Sequence, residues 1–401
     1  MTTPEPQPEA LKPDAALEKD ERKRRSLLLL LLLLLLCLCC VGYLFVRYLI
    51  KPQPVTNLLP VQAPIYYAPT YKFSITGVEK PVGLATSPDG QRLYVVEGGG
   101  KRQVKIFDRD GKLIKSFAPP GVAETSSQPR YIAVDPISGR VFLTEHLNNV
   151  IDIFDADGNF LDAIIAQDMT LTKFLGAQLP GGLPGGTIFY YEGTNKLVYY
   201  QIPGSAKKSL PGPVLKVAWS PLGLHFNTQG DLMYTDLTVG QHSVHIIPAA
   251  ALSAPLSSFS PQIKSFGVQG KDAGQFDFPN SVMTDSHGNF YVSDSNNARI
   301  SAWSADMQYR KFFGFGGNDG GLNLPRGLWI DSRDLLHLAD AVGSVIRVYN
   351  VSGADPVYLY SFGSYGIGEG EMNYPIDVCI DSSGRVYVAD SANNRVQIWS
   401  Y

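Results

Sequence analysis

The chain has 401 residues, 44% apolar and 18% charged, a balance that excludes wholesale disorder and allows two or three domains or one large repeat domain. Its 39 glycines, 28 prolines, 21 tyrosines and 19 phenylalanines favour turns and strands over helical bundles. Six of the 34 basic and six of the 37 acidic residues fall in residues 1–26, which leaves 28 against 31 for the remainder and no basic excess with which to hold a phosphate backbone, so nucleic acid is not an expected partner.

Residues 1–26 carry Pro4, Pro6, Pro8 and Pro13 among mixed charges and read as a disordered cytoplasmic tail. Leu27 to Val46 is an uncharged apolar run containing ten consecutive leucines. A helix over 27–50 built on this run crosses roughly 30 Å, the thickness of a bilayer core. Arg22-Lys23-Arg24-Arg25 precedes it, and only Arg47 and Lys51 follow closely, so the bias of positive charge places the N-terminus in the cytoplasm. No small-x-small cleavage site follows at Val41-Gly42-Tyr43-Leu44, which favours an uncleaved signal anchor in the cell membrane. Cys37, Cys39 and Cys40 sit in the outer half of that helix as small apolar residues, and Cys379 has no partner in the body. Packing, not internal disulfides, is therefore expected to hold the extracytoplasmic part. Residues 51–70, with Pro52, Pro54, Pro60, Pro64 and Pro69, read as a semi-rigid extended stalk of up to about 60 Å.

From residue 71 to 401 the chain repeats itself. FPNSVMTDSHGNFYVSDSNNARISAWS, LPRGLWIDSRDLLHLADAVGSVIRVYN and YPIDVCIDSSGRVYVADSANNRVQIWS each set a proline before a short strand. A turn follows, then a strand ending in an acid, a polar turn and a third strand. A fourth strand ending in Phe-Gly comes next, as in IKSFG, RKFFG and LYSFG. The acid recurs as Glu97, Glu145, Glu192, Asp236, Asp294, Asp340 and Asp390. Seven units of about 47 residues on this count describe a β-propeller, because a lone four-stranded sheet has two faces to bury and radial stacking buries both. The unit around TIFYYEGTNKLVYYQIP lacks the leading proline, so a six-bladed ring with a long insertion is the alternative. The last unit stops after its third strand, and Tyr71–Gly77 resembles an orphan fourth strand, so pairing of the two is expected to close the ring.

These units resemble NHL repeats, strongly in the last three and weakly in the third and fourth. The resemblance implies an all-β propeller behind one transmembrane helix, similar to the outer sensor domains of certain bacterial receptor kinases, with no kinase domain in this chain. It also extends to a peptidyl-hydroxyglycine lyase whose zinc is held by histidines from several blades. Here His225, His245, His287 and His337 occupy different positions in their units, and no channel trio of Glu, Asn and Asp stands out, so neither zinc nor another cofactor is expected. No Ser-His-Asp set is evident either.

The strand-ending acids admit two roles, a ring around a cation or acceptors for turn N–H groups and the following Asn or Arg. Recurrence in every blade fits the second. Asp135, Asp285, Asp331, Asp381 and Asn227 precede turns and fit Asx geometry. The residues just after the leading prolines stand at the channel mouth. There Val82 and Ile376 are apolar, whereas Arg130, Asn280 and Arg326 are the candidates for ligand contact. A binding, scaffold or sensor module for a protein or other cell-surface ligand is the reading these features favour. A channel hydrolase or lyase with a metal ion is the first alternative, and an accessory subunit of a secretion or electron-transfer complex the second.

Overall fold

Six strands that open on a proline organise the unit from Tyr66 to Tyr401. Pro81–Thr86, Pro129–Val134, Pro221–Phe226, Pro279–Thr284, Pro325–Ile330 and Pro375–Ile380 each contact the next, and the last contacts the first, so they form a closed ring around an axis. Proline fits there because the first residue of a strand need not donate to the ladder. The computed structural model describes residues 15–50, 66–119, 127–173, 188–191, 197–200, 208–209, 219–253, 255–315 and 321–401.

Each prolyl strand begins an antiparallel four-stranded blade; blade 2 adds a short fifth strand at Met169–Thr170. The ring therefore has six blades, not the favoured seven, and the six-bladed alternative holds. The segment counted as a third unit contributes Ile188–Tyr191, Leu197–Tyr200 and Lys208–Ser209, which form a separate three-stranded sheet. Among its described residues it supplies no strand at the axis, and blades 2 and 3 touch directly. Thr144 Oγ1 of blade 2 donates to the Leu222 carbonyl of blade 3 at 2.8 Å. Glu192, one of the seven ruler acids, lies outside the described residues.

The other insertion, between the third and fourth strands of blade 3, forms a short helix at Ala249–Ser253 and a turn of 3-10 helix at Leu256–Ser258. Leu252 and Phe259 from this segment are buried in the core shared by blades 2 and 3. Arg140 reaches from blade 2 to the Leu252 carbonyl at 2.7 Å.

The ring closes through the chain ends. Thr70–Ile75 pairs antiparallel with Arg395–Ser400, from Thr70 opposite Ser400 to Ile75 opposite Val396, and Tyr71 meets Trp399 edge-on at 5.7 Å. The packed unit begins at Tyr66, five residues before the expected start: the Tyr66 hydroxyl accepts a bond from Asn350 Nδ2 at 3.0 Å.

Apolar clusters lie between successive blades all round the ring. Three positions on the prolyl strands require glycine. A Cβ on Gly83 would lie 2.3 Å from the Arg130 carbonyl oxygen, on Gly223 2.2 Å from that of Asn280, and on Gly327 1.9 Å from Asp377 Oδ1. Blades 1, 3 and 5 thus press against blades 2, 4 and 6 where the ring is narrowest.

Residues Met1–Ile65 form a separate unit. Its described part is helix α1, Ala15–Ile50, which starts within the segment expected to be a disordered tail. Residues 1–14 and most of the expected stalk, 51–65, are outside the described residues. From Arg22 to Arg47 the helix is long and apolar enough to cross a membrane. Leu27 through Leu36 are each more than half exposed, on every side of the helix.

Candidate functional site

The mouth of the channel is built by a local irregularity that every blade repeats. Immediately after the leading proline the pairing with the second strand slips. Such a bulge re-aims the residue it frees. The freed residues are Val82, Arg130, Leu222, Asn280, Arg326 and Ile376. In blades 2 to 4 the displaced backbone N–H groups donate to a hydroxyl on the second strand: Tyr131 to Thr144, Gly223 to Thr235 and Ser281 to Ser293, at 2.8–2.9 Å.

Arg130 is on blade 2 and Arg326 on blade 5, opposite each other across the ring. Each is half-buried, and the charge on Arg326 acts on Arg130. Burial pulls the Arg130 pKa down, and Arg326 adds to that pull. Among the described residues neither arginine has a carboxylate partner within salt-bridge distance. Arg130 has a long bond to Gln128 Oε1 at 3.5 Å, and Arg326 lies over the Phe278 ring at 5.6 Å with its Nε buried and unbonded. Two partly desolvated like charges favour an anion beside them, while the charge of Glu145 acts on Arg130 in the opposite sense. Beside them His146 has a buried, unbonded Nδ1, and burial followed by the charge of Arg130 lowers its pKa.

Asn280, the third candidate, is buried and already engaged, because Tyr131 of blade 2 donates its hydroxyl to Asn280 Oδ1 of blade 4. This bond joins blades 2 and 4 at the ring of residues that also carries the arginines. Asp377 of blade 6 accepts the Leu84 N–H of blade 1 at 2.9 Å, and burial pushes its carboxyl up to about 8. Neither Tyr131 nor Asp377 was singled out from the sequence. The signal is in the second residue after each leading proline, which reads Gly, Tyr, Gly, Ser, Gly, Asp around the ring. The exceptions to small residues at that crowded position are the two side chains that fill the channel.

At the opposite face lies a cavity of about 750 Å³. The ends of all six prolyl strands line it, with His225, Trp329, Arg333 and Tyr401 among its larger side chains. Ser286, His287 and Asp334 gather at its edge, a grouping the sequence did not reveal. Ser286 Oγ donates to Asp334 at 2.7 Å, while His287 Nδ1 lies 3.3 Å from that hydroxyl and 4.0 Å from the carboxylate. A catalytic relay places the imidazole between serine and acid. Here the serine bonds the acid directly, tying the first turns of blades 4 and 5 together.

The strand-ending acids are buried. Glu97, Glu145, Asp236, Asp294, Asp340 and Asp390 each accept an N–H from the loop before the leading proline, as in Glu79 to Glu97 at 2.9 Å and Asn373 to Asp390 at 2.7 Å. Lys105, Arg299, Arg347 and Arg395 pair with four of them. In blade 2, Asp152 takes the position of Lys105 and Arg347, and burial with the neighbouring Glu145 pushes its carboxyl well up. The turn residues Asp135, Asn227, Asp285, Asp331 and Asp381 accept N–H groups two residues on in their turns.

The histidines remain dispersed. His242 accepts the Phe278 N–H, His245 stacks on Tyr234 and bonds Ser243, and His225 is buried against Trp329, which drives its pKa down to about 4. Burial likewise lowers His337 to about 4; it occupies the second-strand position held by Tyr94, Phe142, Tyr291 and Tyr387 in other blades and bonds the Tyr401 hydroxyl at 2.5 Å. Among the described residues no three His, Cys, Asp or Glu side chains converge on a metal-sized site.

Residues 372–399, the body of the last blade, match the NHL repeat family. Several solved structures share the fold. A streptogramin B lyase is 11% identical, with 83% of this chain and 98% of that one covered at a TM-score of 0.51. Virginiamycin B lyase from Staphylococcus aureus is 13% identical, with 82% and 98% covered and a TM-score of 0.51. A catalytically inactive variant of that lyase with quinupristin gives 13%, 82%, 98% and 0.50. At such identities the likeness establishes the fold alone. No curated protein matches the chain in sequence.

Proposed function

Because the chain is an NHL-repeat β-propeller, we propose that it works as a binding module, held at the cell membrane by α1, which takes an anionic group of its partner at the mouth between Arg130 and Arg326. The observation that carries this reading is the pair of opposed, partly buried guanidinium groups with no carboxylate partner among the described residues. An ion pair in partly desolvated surroundings favours Arg, whose planar fork bonds carboxylate or phosphate oxygens two at a time. The reactions named for the lyase neighbours are not carried over.

The arginine cluster at Arg22–Arg25 ahead of the leucine run supports a cytoplasmic N-terminus and an extracytoplasmic propeller.

The test is charge reversal. Arg130→Glu with Arg326→Glu is expected to lower partner capture from a membrane extract at least about tenfold while the melting temperature changes little, since a rim charge acts on association more than on fold. Undiminished capture by the double variant would remove the reading.

A further inference from the structure

The loops that surround the two arginines expose apolar side chains. Val239, Val342 and Leu147 stand on turns between second and third strands, and Val268, Tyr365 and Ile367 on loops between blades. Val239 is 89% exposed, Ile367 80% and Tyr365 74%. These turns and loops share one face because in five blades the residue after the strand-ending acid bonds the residue before the leading proline, as Gly98 to Lys80 and Leu237 to Ser220, and in the sixth Ala392 bonds Asn373. The turns of the opposite face expose Ile137 as their single large apolar residue among the described ones. Exposed apolar groups gathered on one face mark an interaction surface.

We propose that this face receives the C-terminal end of an apolar polypeptide segment, whose terminal carboxylate seats between Arg130 and Arg326. The proposal rests on the binding reading above and names its partner. Three features select a chain end. The Tyr131–Asn280 bond joins blades 2 and 4 in the same ring of residues as the arginines and narrows the mouth, which favours a slender ligand such as a chain end. The mouth's charge is doubly positive and complements one carboxylate held by two forks. Its rim offers valine, leucine, isoleucine and tyrosine, which suit the last few apolar side chains of a peptide. An anionic bilayer is disfavoured by the rest of the rim, where exposed Lys80, Lys101 and Lys271 are balanced by Glu79, Asp272 and Glu369.

The full chain in phosphatidylcholine nanodiscs is presented with an array of random decapeptides bearing free C-termini, with the same peptides amidated, with phosphopeptides, and with phosphatidylglycerol vesicles. Expected is saturable binding of peptides with apolar final residues, weakened about tenfold or more by amidation. Arg326→Gln and, separately, Arg130→Gln should abolish the preference for the free acid. Val239→Ser with Ile367→Ser should weaken all binders while that preference persists. Equal binding of acid and amide, recognition of internal acids or phosphates instead, binding to vesicles alone, or no peptide bound would each overturn the proposal. Capture from a membrane extract, run in parallel with the charge-reversed variant, separates the two readings. If capture still depends on the arginines while the peptides fail, only the chain-end proposal falls.

Discussion

At the scale of single residues the channel is decided by exceptions to a repeat. Asp377 occupies a position that three blades leave as glycine, with its carboxyl held near 8 by burial against an ordinary 3.8. An acid whose folded pKa is raised binds its proton more tightly than the unfolded chain does. Its contribution to stability is therefore full below about pH 4 and is lost as pH climbs through about 8, on the order of a few kcal/mol. Asp377→Asn should remove that part of the slope, whatever its effect on baseline stability, because the amide does not titrate. Denaturant unfolding at pH 5 and pH 8 reads the difference; parallel slopes in the two proteins would show that Asp377 does not titrate in this range. Arg130, Asn280 and Arg326 were legible in the sequence because the leading prolines align the mouth. The Tyr131–Asn280 bond was not, because a contact between blades 2 and 4 depends on how the ring closes. The same holds for Ser286 and Asp334, 48 residues apart in neighbouring turns.

At the scale of elements the strands follow from period-two alternation and the turns from Asx chemistry, which is why the blades could be delimited in advance. The blade count could not be settled by the acid ruler alone, since YYEG mimics the end of a second strand without a prolyl strand before it. What admits a blade to the ring is a strand able to sit at the axis, with small residues where neighbours crowd. Gly223→Ala would force a Cβ within 2.2 Å of the Asn280 carbonyl, and backbone displacement of this kind typically costs about 1–3 kcal/mol. Thermal unfolding should show a clear fall in midpoint for Gly223→Ala and little change for Gly353→Ala at an open turn, where the nearest atom to an added Cβ is the Asp355 carbonyl oxygen at 3.9 Å. The closing strand gives a sharper case. Removing residues 1–65 leaves Thr70–Ile75 in place, whereas removing residues 1–77 strips the partner from Arg395–Ser400 and bares a sheet edge. The shorter deletion should stay monomeric and fold, and the longer one should aggregate; equal melting of the two would contradict closure through the chain ends.

At the scale of the whole molecule, a helix able to cross a bilayer and a propeller with two unlike faces define what can be tested in cells. Protease added to spheroplasts should degrade the propeller and spare the segment before Arg22, since the arginine cluster favours the cytoplasmic side. A propeller protected until the membrane is breached would reverse the orientation. The two faces differ in kind: one carries opposed arginines within an apolar rim, and the other opens into a cavity lined by the strand ends of all six blades. A photo-crosslinking residue placed at Val342 on the first face, and separately at Asp89 on the second, in the full chain within its native membrane, decides between them most directly. The account predicts a crosslinked partner from position 342 that disappears with Arg130→Glu and Arg326→Glu, and none from position 89. A partner crosslinked from position 89 alone, undiminished by the two substitutions, would contradict it.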